Sequence, residues 1–180
     1  MARLLEVQTC CEKKYSKNDS GIGEINMALE SVRTFFKQYD MDSRIREFEV
    51  SSATVDLAAL ALGCEPERIA KTLSFVVNGQ AVLVVTAGDT KVDNKKFKEF
   101  FNTKAKMLTP EEVLDLVGHA VGGVCPFAVN DGVLVYLDIS LRRFETVYPA
   151  CGNSNSAIEL TIEQLEKYSG YSQWIDVCKS

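Results

Sequence analysis

Asn78-Gly79 sits between two runs rich in β-branched and apolar residues, 71–77 (Lys-Thr-Leu-Ser-Phe-Val-Val) and 80–87 (Gln-Ala-Val-Leu-Val-Val-Thr-Ala). A two-residue connection between strands closes as a type I′ turn when both of its residues accept φ > 0, which Asn and Gly do. Loop length then sets the register, so Val77 faces Gln80, Phe75 faces Val82, Leu73 faces Val84 and Lys71 faces Thr86. Alternation along the strand puts Lys71 on the same face as Leu73, Phe75 and Val77. Whatever else the chain builds must be arranged on this antiparallel pair.

The remaining elements follow from periodicity and capping chemistry. Ile25, Leu29, Val32 and Phe36 recur at helical spacing, predicting an amphipathic helix over 24–39. Residues 44–50 read as a strand. Ser52 or Thr54 can cap a helix running to Leu62, with Gly63 as its stop. Pro66 and Glu67 suit the first turn of a short helix. Asp93 can cap a helix through Phe101, and a short strand follows at 104–108. Thr109-Pro110-Glu111-Glu112 is a capping box with proline at the first helical position, and Gly118 ends that helix. The turn Asn130-Asp131-Gly132 leads into a strand at 133–138, followed by a short turn or helix at 139–144. Strands at 147–150 and 157–160 flank the turn 151–155. Thr161 and Gln164 form a second capping box, opening a helix to about Tyr168, and a last strand lies near 174–177. Strands and helices mix without strict βαβ alternation, so the expected class is α+β with a mixed, largely antiparallel sheet flanked by helices. Residues 1–24 lack periodicity and read as an N-terminal extension, and residues 25–180 as one domain.

Composition removes several classes of function. Apolar residues make up 46% of the 180, enough for a packed core, so global disorder is excluded. The net charge of −5 gives no overall attraction to nucleic acid, so any RNA contact must use a local basic patch. The six cysteines (10, 11, 64, 125, 151, 178) form no C-x-x-C pair, and there is one histidine, so no zinc-ligand spacing is present and no metal is expected. The N-terminus is polar and charged after a few apolar residues and does not read as a secretory leader; the expectation is a reducing cytoplasm and free thiols. No apolar run approaches the ~20 residues of a membrane span.

The stretch 118–127, Gly-His-Ala-Val-Gly-Gly-Val-Cys-Pro-Phe, concentrates the chemistry. Glycine permits positive φ and close approach of a ligand, and Pro126 stiffens the loop's end. Such a loop can aim successive N–H groups at one point, making a nest for a phosphate or an oxyanion. Two readings of Lys71 are open: a strand-end lysine reaching water, or a desolvated lysine on an apolar face that calls for an anion. His119 and Cys125, six apart, are either a thiol–imidazole pair or a buried thiol with a backbone-satisfied histidine; no third orienting group is evident, which favours the second. Lys91, Lys95, Lys96, Lys98, Lys104 and Lys106 form a local basic cluster, either a solvated face or a phosphate-binding patch. The turn 151–155 is either an ordinary hairpin turn or a pocket rim.

Three motifs in order resemble the YbaK/prolyl-tRNA editing domain family: Glu67-Arg68-Ile69-Ala70-Lys71-Thr72-Leu73 before the Asn-Gly hairpin, Val121-Gly122-Gly123-Val124-Cys125-Pro126-Phe127, and Tyr148-Pro149-Ala150-Cys151-Gly152 leading to Ala157-Ile158-Glu159-Leu160. The resemblance spans about residues 26–178. It implies a compact α+β domain with a central mixed, partly barrel-like sheet. It also implies hydrolysis, in trans, of the ester of mischarged tRNA, without cofactor or metal. In that reading Lys71 holds an oxygen of the RNA 3′ end, and Gly122, Gly123 and Val124 grip the ester and its oxyanion. His119, Cys125, Pro126, Ala150, Gly152 and Ala157 complete the substrate site. The implied partners are the acceptor 3′ end of an aminoacyl-tRNA and an aminoacyl-tRNA synthetase, with no DNA and no membrane. The cysteinyl-tRNA deacylase branch carries serine and aspartate where this chain has Ala150 and Ala157, which points to a small apolar side chain such as alanine on tRNA(Pro). The alternatives are a non-catalytic tRNA- or synthetase-binding module of the same fold, and a thiol hydrolase using Cys125 and His119.

Overall fold

The computed structural model describes residues 22–180; residues 1–21, with Cys10 and Cys11, lie outside the described residues. At its centre is the hairpin, β2 (Ile69–Val77) and β3 (Gln80–Ala87), in the register that the two-residue turn demands, from Val77↔Gln80 to Lys71↔Thr86. Asn78 and Gly79 both take positive φ.

Around the hairpin a six-stranded sheet runs in the order β8-β6-β2-β3-β5-β9, where β5 is Leu134–Asp138, β6 is Thr146–Pro149, β8 is Leu160–Thr161 and β9 is Gln173–Ile175. Two further pairs flank it, β1 (Arg46–Glu47) with β7 (Ser156–Ala157) and β4 (Lys91–Val92) with β10 (Cys178–Lys179). Four of the seven pairings are antiparallel and three parallel, so the sheet is mixed, and it curls into a half-barrel. One face of the hairpin (Ala70, Leu83, Val85, Ala87) packs against α1 (Ile22–Lys37), α4 (Pro110–Val117) and α5 (Ile162–Ser169) in the main core. The other face (Phe75, Val77, Val82, Val84) packs against Phe97 of α3 (Asn94–Phe101). Core on both sides leaves every residue of β3 after Gln80 buried.

Capping chemistry sets the helix ends. Thr54 Oγ1 accepts from Leu57 N at the start of α2 (Val55–Leu62), Asp93 caps α3, and both capping boxes form, Thr109–Glu112 and Thr161–Gln164. Three strand expectations shrink. The strand at 44–50 reduces to a 3-10 turn (Asp42–Arg44) and the exposed β1, because its residues lack an apolar face. The strand at 104–108 keeps one bridge, Phe75↔Met107. The strand at 157–160 splits into β7 and β8: Ile158 N donates back to Pro149 O (3.1 Å), and the Glu159 carboxylate turns to Tyr148, Thr146 and Arg68.

Candidate functional site

On its outer edge β2 pairs with β6 only at Ile69↔Tyr148 and Ala70↔Pro149, and it regains a partner at Phe75↔Met107. Between those points the edge is open among the described residues, and a cavity of about 470 Å³ occupies the gap. Its walls come from the start of α2 (Ser52–Val55, Ala58), the edge of β2, the start of α4 (Leu108, Pro110, Val113), the glycine loop (Val121, Gly122, Val124) and the strands carrying Tyr148, Ala150, Ser156 and Ala157. Two helix N-termini therefore border one apolar space, and each brings partial positive charge. Lys71 is the sole charged residue among the lining residues, and no carboxylate lines the cavity.

Lys71 follows neither of its two readings in full. It is half-buried, and its ammonium donates to the carbonyls of Gly88 (2.9 Å) and Thr90 rather than standing in water. Burial lowers its pKa, with Cys178 and Asp89 opposing. Asp89 is itself held by Arg143 (2.9 and 2.5 Å). An ammonium carries three N–H donors, and these two carbonyls, neither of which lines the cavity, take two of them.

The glycine loop divides into two sides. Gly122, at φ +91°, lies on the cavity side, where an added Cβ would stand 3.2 Å from Ala53 Cβ. The N–H groups of Gly122 and Val124 make no backbone hydrogen bond among the described residues. Gly123, expected among the donors, instead donates its N–H to Ala120 O (3.0 Å) and is buried outside the lining. Its role is close approach: a Cβ there would meet the Asn153 backbone at 2.4 Å. Gly152 N donates to Gly123 O (3.1 Å), so the turn 151–155 buttresses the loop instead of forming a rim.

His119, Cys125, Pro126 and Gly152, expected in the substrate site, do not line the cavity. His119 is 1% exposed, and its Nδ1 accepts from Cys125 N (3.3 Å) with Cys125 Sγ at 3.7 Å. Burial pushes the imidazole down to about 4 and the thiol up to about 12. Burial thus works against both charged forms, and a thiolate–imidazolium pair is disfavoured here. With Nδ1 accepting, the neutral ring carries its proton on Nε2, which has no partner among the described residues. The pair braces the loop from below, with both groups held in their neutral forms by burial.

Ala150 and Ala157 do line the cavity and bridge each other. Beside them Tyr148 is fixed by its hydroxyl, which donates to Glu159 Oε1 (2.8 Å), the same oxygen that accepts from Thr146 Oγ1 (3.0 Å) and Arg68 (3.2 Å). The sequence reading missed the contribution of residues 52–55, because Ser52 and Thr54 signal only a helix cap. It also missed Thr72, whose Oγ1 is buried without a hydrogen-bond partner among the described residues. Among the described residues, no group of three or more metal-ligating side chains is gathered, and no helix is long and apolar enough to cross a membrane.

The fold that holds this site is shared with known proteins. The sequence profile of the aminoacyl-tRNA editing domain matches residues 49–168, and the chain belongs to that family. It is 54% identical over 154 residues to the Bacillus subtilis protein YwhH, covering 85% of this chain and 98% of that one. It is also 26% identical over 173 residues to the proline–tRNA ligase of Geobacillus thermodenitrificans, covering 88% of this chain and 30% of the ligase. The chain thus spans less than a third of that enzyme. Among solved structures, one described as a candidate trans-editing enzyme for prolyl tRNA synthetase superposes with a TM-score of 0.77 at 28% identity, over 85% of this chain and 98% of that one.

Proposed function

We propose that this protein is an aminoacyl-tRNA deacylase that acts in trans in the cytoplasm, hydrolysing the ester of mischarged tRNA, with tRNA(Pro) carrying a small residue such as alanine as its substrate. The observation that carries the reading is the cavity at the open edge of β2, where Lys71 is the one charge and Gly122 and Val124 offer free amides. In this reading the third N–H of Lys71 holds an oxygen of the RNA 3′ end. The Gly122 and Val124 amides hold the ester carbonyl and the oxyanion that develops on it, a contribution of about 2.7–4 kcal/mol for one such donor in a protease. No carboxylate, imidazole or thiol lines the site, so none of these serves as general base. Resemblance to the family supplies the substrate's own 2′-hydroxyl for activating water, and positioning carries the rate. Ala150 and Ala157 put methyl groups, and no polar partner for a thiol, on their own part of the wall. Such a pocket discriminates by about 1–3 kcal/mol per methylene.

The test is single-turnover hydrolysis of a panel of mischarged tRNAs. Alanyl-tRNA(Pro) should be cleaved fastest, and Lys71→Ala should lower the rate by roughly 100-fold or more. Full activity in Lys71→Ala, or no cleavage of any panel member, overturns the reading. The missing general base is also what a non-catalytic module would show. tRNA binding without any ester cleavage would select that function.

A further inference from the structure

The structure divides the six-lysine cluster. Lys95 pairs with Glu99 (4.0 Å) and Lys96 with Asp176 (2.6 Å), Lys91 lies opposite Lys179 in the β4–β10 pair, and Lys98, exposed and without an ion pair among the described residues, belongs to α3. Lys104 and Lys106 are exposed and make no ion pair among the described residues. They also differ in position. The bridge Phe75↔Met107, with Val76 N donating to Lys106 O (2.9 Å) and Leu108 N to Ser74 O (3.1 Å), sets Ser74 opposite Leu108 and Val76 opposite Lys106. Cross-strand neighbours share a face of the sheet. Ser74, Met107 and Leu108 all line the cavity, so Lys106 is the next residue outside the lining on this segment, with Lys104 two residues further out. Two residues of extended chain span about 6.6 Å at most, so Lys104 and Lys106, neither in an ion pair among the described residues, lie close together just outside the lining.

We infer that Lys104 and Lys106 are the docking track for the single-stranded 3′ end of the RNA, each neutralising one backbone phosphate of the nucleotides behind the acylated one. The inference rests on the deacylase reading for what enters the cavity. Charge complementarity selects the occupant: in a chain of net charge −5 this is a cationic row that runs into a cavity without carboxylates.

The experiment is a titration of deacylated tRNA against the protein at salt concentrations from about 50 to about 200 mM. It compares the native chain, the double variant Lys104→Gln/Lys106→Gln, and Lys37→Gln on α1 as a matched change of charge away from the cavity. Each single-strand phosphate contact contributes about 0.7 to the slope of log affinity against log salt, so the double variant should lose about 1.4 and Lys37→Gln nothing. On tRNA lacking its last three nucleotides, native and double variant should bind alike. An unchanged slope overturns the track, as does a full lysine effect on the truncated tRNA, which would put the contact on the paired stem. Failure of the deacylase reading looks different: the slope changes but no ester is cleaved. Both side chains are exposed, so melting temperatures should coincide and confirm that the variants are folded.

Discussion

One loop serves two neighbourhoods, and the fold treats them in opposite ways. Gly122 and Val124 face the cavity that Lys71 shares, while His119 and Cys125 face the core below. The core-facing pair has the side chains that usually signal chemistry, yet burial holds each in its neutral form, the imidazole at about 4 and the thiol at about 12. The cavity side has one amine, two amides and methyl groups, and it has access. Solvation and approach, rather than residue type, decide which side of the loop can act. Three substitutions probe that division.

The largest effect is expected from pH. In the unfolded chain His119 titrates near 6.5 and in the folded chain near 4, because burial disfavours the imidazolium. Between those values the unfolded state binds a proton that the folded state refuses. His119 therefore contributes its full stability above pH 6.5, and that contribution is lost as pH falls toward 4. A gap of about 2.5 units corresponds to about 3 kcal/mol. In His119→Gln the amide can still accept from Cys125 N–H but does not titrate. Urea unfolding at pH 7 and near pH 4 should show native protein losing about 3 kcal/mol more than the variant. Equal losses in the two proteins would mean that the imidazole reaches water, and the division between the two sides of the loop would fail.

Gly123→Ala attacks the wall between the two sides. The new Cβ would stand 2.4 Å from the Asn153 backbone, which is no flexible chain end and must move as a unit. The Gly152 N to Gly123 O bond would open with it. Overpacking of this kind costs about 1–3 kcal/mol. Because Gly122 and Val124 flank the displaced residue, single-turnover hydrolysis should fall roughly tenfold, the scale of a positioning error rather than a lost group. A stable variant with unchanged turnover would show that loop placement is not set by this contact.

Much of this was legible in the chain. The Asn78-Gly79 turn dictated the whole β2–β3 register, and every cap named from sequence is formed, since both depend on residues within a few positions of each other. Lys71, Gly122, Val124, Ala150 and Ala157 were each singled out, and all line one cavity. What stayed hidden depends on contacts between distant segments. The Ser52 N to Ser154 O bond (2.6 Å) that brings residues 52–55 to the cavity spans about a hundred residues. That Gly123 spends its N–H on Ala120, and that one strand becomes β7 and β8, follow from how the chain turns in space, and local pattern carries no trace of either.

Cys125→Ala carries the smallest expected effect and bears most directly on the contrast. The thiol is fully buried, 3.7 Å from Phe127 O and from His119 Nδ1, and it touches no cavity space. Removing Sγ leaves a small void, so stability should fall by about 1 kcal/mol. The Cys125 N–H still donates to His119, so the loop keeps its brace. Hydrolysis by the folded variant should stay within about twofold of the native rate, and alkylating reagents should leave Cys125 unmodified in native protein, because a thiol with a pKa of about 12 carries almost no thiolate at neutral pH. A folded Cys125→Ala protein without turnover would invert the assignment. The buried pair would then be the reacting one, and the cavity above it would only hold the RNA.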